Sequence, residues 1–264
     1  MALKILDDIK SGPQHKPPFI LLNGRPGVGK STMLAALYAV LILDYDNGLS
    51  EIDCQSVDMA SRSFEDLLAL IKELAELYDQ DPENFPYKWV AIDSADKLEQ
   101  IIQQAVCNDH GWSSIEEPGY GKGYSYAAEK GSKFIRFMKR LQQKTGVGVM
   151  IACHATIKTV NEPHIGEPYD LYTSKLHKRF AADLYEAADA ILFGAMKSVV
   201  KKKNHEFGRQ VTQNVVSNER VLYTTPSTGI EAKNRYGLPD RIPMDAQNLL
   251  KLIEEGRQSN AKTQ

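Results

Sequence analysis

The sequence predicts an α/β fold in which helices flank a mostly parallel central sheet, and three observations carry that expectation. An apolar run, Phe19-Ile20-Leu21-Leu22, leads into Gly24-x4-Gly29-Lys30-Ser31 and then into Met33-Leu34-Ala35-Ala36-Leu37, which has helix-forming composition. A second apolar run, Lys88 to Ser94, delivers a single carboxylate, Asp93, at its tip. A third, Val147 to Cys153, ends at His154. Helical-period segments lie between these runs, and strands that alternate with helices build parallel sheets.

Composition bounds the function. With 264 residues, 42% hydrophobic and 25% charged, the chain is long enough to bury a substantial core. It reads as one domain over residues 18–255, with an N-terminal arm or leader at 1–17 and a polar, disordered tail at 256–264. No apolar run reaches the length of a membrane span. The N-terminus carries acidic residues and no signal-peptide core, so a cytoplasmic location is expected and no membrane partner. Cys54, Cys107 and Cys153 are far apart and form no CxxC pair, which suggests neither a zinc site nor a disulfide framework. A formal net charge of -2 removes bulk attraction to nucleic acid, so any such binding needs a local basic surface.

The first run carries the strongest signal. Gly24, Gly27 and Gly29 let the backbone curl close to a phosphate chain, where a Cβ would obstruct it. Gly24, Arg25, Pro26, Gly27, Val28, Gly29, Lys30, Ser31 and Thr32 are therefore the expected nucleotide cradle, with amides facing the anion. Lys30 reaches the β- and γ-phosphates, and the Ser31 hydroxyl ligates Mg²⁺. The pattern predicts binding of a nucleoside triphosphate, with ATP and Mg²⁺ as the expected cofactors.

Next, Val40 to Asp46 reads as a buried strand with acidic residues at its end, closed by Asn47-Gly48. Phe64 to Tyr78 repeats apolar residues at helical spacing, and DQDPENFP follows as a loop. Asp93, at the tip of the next strand, would hold the Mg²⁺ shell beside Ser31. Ala95 to Cys107 is helical.

Two long loops are expected. In Trp112 to Tyr126, glycines alternate with Tyr120, Lys122 and Tyr124, a composition that suits stacking on unpaired bases with a phosphate contact nearby. The competing reading is a mobile loop whose tyrosines cover a hydrophobic edge. Ala127 to Gln143 is a helix with a basic face. His154 stands at a strand tip, where α/β sheets bind ligands, and can report loss of the γ-phosphate; a satisfied core histidine is the alternative. The second loop, Ala155 to Arg179, carries Lys158, Lys175, Lys178 and Arg179, with Pro163, Gly166 and Pro168 breaking regular structure. Phe180 to Ala188 reads as helix and Asp189 to Ala195 as strand. Two β-rich runs, Met196 to Val200 and Val215 to Thr225, suggest a hairpin with a basic tip. Lys233 and Arg235 then precede Gly237-Leu238-Pro239, and Asp245 to Glu255 is the last helix.

The ordered set GRPGVGKST, DYDNGL, WVAIDS, GYGKGY, IACHATIK, YDLYTSKLHKR and AKNRYGLP resembles the phage-encoded, RecA-like recombination ATPases, from about Phe19 to Pro239. The resemblance implies a RecA-like P-loop NTPase core. It puts Asp46 where the family carries a glutamate that orients the attacking water, one methylene shorter, with Asp44 as a second candidate. It also implies that His154 is the polar sensor and that the two loops bind single-stranded DNA. Lys233 and Arg235 would reach a neighbour's ATP, so the chain would self-associate into a filament or ring with ATP at subunit interfaces. The implied activity is DNA-stimulated ATP hydrolysis with strand annealing or exchange in phage recombination, alongside single-strand-binding or other phage replication proteins. A ring-forming translocase or helicase and a nucleotide-gated adaptor that loads a partner protein are the alternatives.

Overall fold

The strands expected to carry chemistry at their tips are apolar along their length, and such strands are stable only when both faces are covered. A computed structural model, which describes residues 12, 14–163, 165–204 and 210–262, shows that arrangement. In chain order the first elements are β1 (Phe19–Gly24), α1 (Lys30–Ala35), β2 (Val40–Asp44), β3 (Gln55–Asp58), α2 (Phe64–Gln80), β4 (Trp89–Asp93), α3 (Ala95–His110) and α4 (Lys122–Thr145). There follow β5 (Gly148–Val160), β6 (Tyr169–Ser174), α5 (Lys178–Ala187), β7 (Ala190–Asn204), β8 (Gln210–Tyr223), β9 (Lys233–Asn234), β10 (Arg241–Pro243) and α6 (Ala246–Lys262).

The sheet runs β10-β8-β7-β1-β5-β4-β2-β3. From β7 to β3 all neighbours are parallel, and β8 and β10 extend the sheet antiparallel. Side chains alternate between two cores, as the two-residue period of a strand demands. Phe19 and Leu21 of β1 join Leu41, Leu43, Val90, Ile92, Val149 and Ile151 under α2, α3, α4 and α5. Ile20 and Leu22 join Ile42, Ala91, Met150 and Ala152 under α1 and α6. β5 lies between β1 and β4, so the chemical tips of β1, β5, β4 and β2 share one rim.

Several expectations need correction. Only residues 111–121 are loop between α3 and α4, because Lys122 already begins α4. The alternating glycines there divide in role: Gly119 and Gly121 adopt left-handed backbone (φ 68° and 69°), whereas a Cβ on Gly123 would sit 1.9 Å from the Ile115 carbonyl oxygen. The second expected loop is an antiparallel hairpin of β5 and β6, with Ala155 facing Ser174 and Val160 facing Tyr169. Thr156, Ile157, Thr159 and Val160 are β-branched and continue the strand. Pro163, Gly166 and Pro168 occupy its turn region. β3 is an edge strand of polar sequence that the apolar pattern did not mark. Residues 256–262, expected as a disordered tail, continue α6. Of the expected N-terminal arm, residues 1–11 and 13 lie outside the described residues, as do the hairpin tip at 205–209 and positions 263 and 264. Among the described residues, no helix is long and apolar enough to cross a membrane.

Candidate nucleotide site

β1 ends at Gly24, and the chain turns through Arg25 to Gly29 into α1. Gly27 (φ 78°) and Gly29 (φ 101°) adopt the left-handed backbone that makes this turn possible. Gly24 is needed for closeness, since a Cβ there would meet Val28 Cγ1 at 2.9 Å and the Gly194 carbonyl oxygen at 3.1 Å. Lys30 is nearly buried at 6% exposure. Its ammonium donates to the carbonyls of Gly24 (3.1 Å) and Arg25 (3.3 Å) and lies 3.2 Å from His154 Nδ1. Burial lowers the Lys30 pKa, with Asp93 and Asp96 opposing that shift. The positive charge is thus held in a poorly hydrated place by neutral partners and nearby carboxylates, where a phosphate would be its natural counterion.

Register brings the other groups alongside. Gly24 pairs with His154 across β1 and β5, and Asp44 pairs with Asp93 across β2 and β4. The Asp93 carboxyl is raised by burial, partly offset by a hydrogen bond from Ser31, and raised further by Asp46. A buried carboxylate (4% exposed) beside a hydroxyl and a second acidic residue fits a hard divalent cation, which would relieve the desolvation and the like-charge repulsion together. Ser31 and Asp93 are the residues that would hold Mg²⁺. Among the described residues no group of three or more His, Cys, Asp or Glu side chains converges on a metal position.

The two acidic residues after β2 separate by role. Asp44 Oδ1 accepts from the backbone N–H of Asp46 (3.1 Å) and Gly48 (3.4 Å), so it holds the turn. Asp46 accepts from Ser94 Oγ (2.8 Å), and its Oδ2 lies 4.0 Å from His154 Nε2. Asp46 therefore stands with His154 and Lys30 at the mouth of the loop. Asp96, in the first turn of α3, accepts from the His154 backbone N–H at 2.7 Å and fixes the end of β5's apolar section. Of the expected catalytic residues, Lys30, Asp46, Asp93 and His154 come together here.

Lys233 and Arg235 do not. β9 pairs with Ala190 and Ile191 at the start of β7, on the rim opposite Gly24. Lys233 donates to the carbonyls of Tyr185 (2.7 Å) and Glu186 (3.4 Å), and Arg235 pairs with Asp189 at 3.2 Å. Neither can serve the same chain's nucleotide.

The expected nucleic-acid residues divide similarly. Tyr120 is fully exposed (102%), in a run of left-handed backbone with Gly119 and Gly121. Tyr124 instead stacks on His177 at 4.1 Å and donates to Glu116 (3.2 Å), so one face is already used. Arg179 donates to Ser125, tying the start of α5 to the start of α4. Burial lowers the His177 pKa first, and Lys178, Arg179 and Lys158 lower it further, which places three cations around one imidazole. Lys122, Lys158, Lys175 and Lys178 are all exposed. Glu99, one turn beyond Asp96 on α3, accepts from the His177 backbone N–H at 3.0 Å. Sequence reasoning missed Asp96 and Glu99 and gave His177 no role beyond membership of the second loop; the first two sit at i and i+3 after the β4 tip, a spacing that puts both on one helix face.

A family model described as AAA domain matches residues 16–236. No curated protein matches the chain.

Proposed function

The chain belongs to the AAA domain family of P-loop ATPases, and from that premise we propose a RecA-like, DNA-stimulated ATPase that binds single-stranded DNA and promotes annealing or exchange in phage recombination. The observation that carries this reading is the continuity of β5. His154 contacts Lys30 in the nucleotide site, and six residues later the same strand ends in the exposed hairpin that bears Lys158. The link is reinforced by the His154 carbonyl, which accepts from the Lys175 backbone N–H at 2.8 Å. One face of α3 holds both ends, through Asp96 on His154 and Glu99 on His177. A change at the γ-phosphate that shifts His154 would therefore move the basic patch through hydrogen-bonded backbone.

In this reading Lys30 neutralises the β- and γ-oxygens, and Asp46 orients the attacking water for in-line displacement. Mg²⁺, held by Ser31 and Asp93, supplies charge stabilisation to the phosphates when bound. Lys233 and Arg235 face away from their own nucleotide, which supports their serving a neighbouring subunit in a filament or ring. Tyr120 supplies a free aromatic face for an unpaired base, and Lys122, Lys158, Lys175, Lys178 and Arg179 track the backbone.

The test is steady-state ATP hydrolysis with and without single-stranded DNA, across protein concentration and salt. Stimulation by single strands that is steep in protein concentration and lost as salt rises is the expected result. Unchanged hydrolysis, with no DNA binding in the presence of a non-hydrolysable analogue, would replace this reading with the partner-loading adaptor.

A further inference from the structure

We infer that Arg220 is a nucleotide ligand supplied by the same chain, a cation that contacts the phosphates from above Gly29. The inference rests on the reading of the P-loop as a nucleotide site. Arg220 lies far from the P-loop in sequence, on β8, two strands away from β1. Yet its guanidinium fills the space that a side chain at Gly29 would need: a Cβ there would lie 2.5 Å from Arg220 Nη1 and 3.0 Å from its Cζ. A side chain at position 29 would displace the guanidinium from that place.

Local structure explains how a sheet residue arrives there. β7 and β8 pair Met196 with Arg220 and then Ser198 with Val216, so the register breaks with one residue on β7 against three on β8. Such bulges bend a strand and re-aim its side chains. Lys197 and Glu219 pair across the irregularity at 2.5 Å. The Arg220 carbonyl accepts from Met244 N at 3.0 Å, and the Met244 side chain would lie 3.3 Å from a Cβ on Gly194, beside Val28. The backbone that carries Arg220 is thus anchored while its head group stays exposed.

Among the described residues the head group has no carboxylate counterion, whereas Arg235 and Lys197 are both paired. A planar, permanently charged fork held against the glycine that opens α1 is suited to bidentate contact with phosphate oxygens. Lys30 is the cation expected at the β- and γ-oxygens, and Arg220 would add a second cation to the same phosphate chain. The isolated subunit would then hold nucleotide with two cations, Lys30 and Arg220, and would need a neighbour only for turnover.

The experiment is titration of wild type, Arg220→Ala, Arg220→Gln, Arg220→Lys and Lys30→Ala with Mg-ATP and Mg-ADP, followed by calorimetry. Arg220→Ala and Arg220→Gln are expected to weaken both nucleotides about ten- to hundredfold, with Arg220→Lys intermediate because it keeps charge but loses the fork. The thermal midpoint of the nucleotide-free protein should not move; if Arg220→Ala fails to fold, Arg220→Gln carries the test. Wild-type affinity in the Ala and Gln variants, with loss in Lys30→Ala, overturns the inference and spares the P-loop reading. No nucleotide binding by wild type overturns both.

Discussion

The two rims of the sheet differ in how their charged groups are partnered. On the β9 side, Arg235 is neutralised by Asp189, and Lys233 is received by the last carbonyls of α5, which lack helical partners. Those charges have partners within the chain, although burial and the neighbouring Arg235 still lower the Lys233 pKa. On the P-loop side, Lys30 and Asp93 are buried with their charged forms disfavoured, and Asp96 Oδ1 has no hydrogen-bond partner among the described residues. Burying charge without full compensation costs stability, and groups shifted in this way concentrate at functional sites. The contrast agrees with the P-loop rim as the candidate site.

The largest test strikes the satisfied rim. If Arg235 serves a neighbour's nucleotide, Arg235→Ala should lower hydrolysis by about 10³ to 10⁵ while nucleotide affinity is retained. Mixing it with a Lys30→Ala subunit should restore turnover under assembling conditions, measured by phosphate release. If turnover is intact, the Arg235–Asp189 pair is structural only, and with Arg235 57% exposed its loss should cost less than about 1 kcal/mol in denaturant unfolding.

At the unsatisfied rim, Lys30→Ala should weaken Mg-ATP binding by at least about a hundredfold, read by calorimetry, because it removes a charge-assisted contact. Asp93→Asn should act in two directions at once. Hydrolysis should fall at least about a hundredfold with the Mg²⁺ ligand weakened. Stability of the nucleotide-free protein at neutral pH should rise. The sign follows from the raised Asp93 pKa: the folded state holds its proton more tightly, so stability is present at low pH and lost as pH climbs from 3.8 through the folded value. Asparagine removes that loss. An Asp93→Asn protein that melts lower at pH 7 would break the comparison of the rims.

What the sequence disclosed follows the same division. Gly24 to Thr32, Asp93 and His154 were legible because each ends a run of apolar strand, and a lone polar residue at such a tip has few structural reasons to be there. The β5–β6 hairpin was obscured because Pro163 and Gly166 drew attention to breakage, although Thr156, Ile157, Thr159 and Val160 carry strand-forming composition. Gly123 read as flexibility and is a contact with Ile115. Tyr124 read as a free ring, yet its partner His177 lies 53 positions on and meets it only after α4 and α5 pack. Arg220 is a single arginine within a strand; nothing local marks it, and only the register break beside Met196 brings it to Gly29.

The smallest effect concerns the place where the rims' two logics meet. His177 is partly buried, stacked on Tyr124 and surrounded by Lys178, Arg179 and Lys158, so its pKa falls below the ordinary 6.5. Between that depressed value and 6.5 the unfolded chain binds the proton more readily, so stability is intact above 6.5 and declines as pH drops through the window. A polyanion on the patch reverses the balance, because phosphates favour the imidazolium. DNA binding should then take up a proton and strengthen from pH 7.5 to 6 by less than about tenfold, one pKa unit being ~1.36 kcal/mol. His177→Gln should flatten that dependence in a fluorescence-anisotropy titration with single-stranded DNA. A pH profile identical in wild type and variant would mean that the cations around His177 are a solvated surface, and would leave Tyr120 and Lys122 to carry any DNA contact.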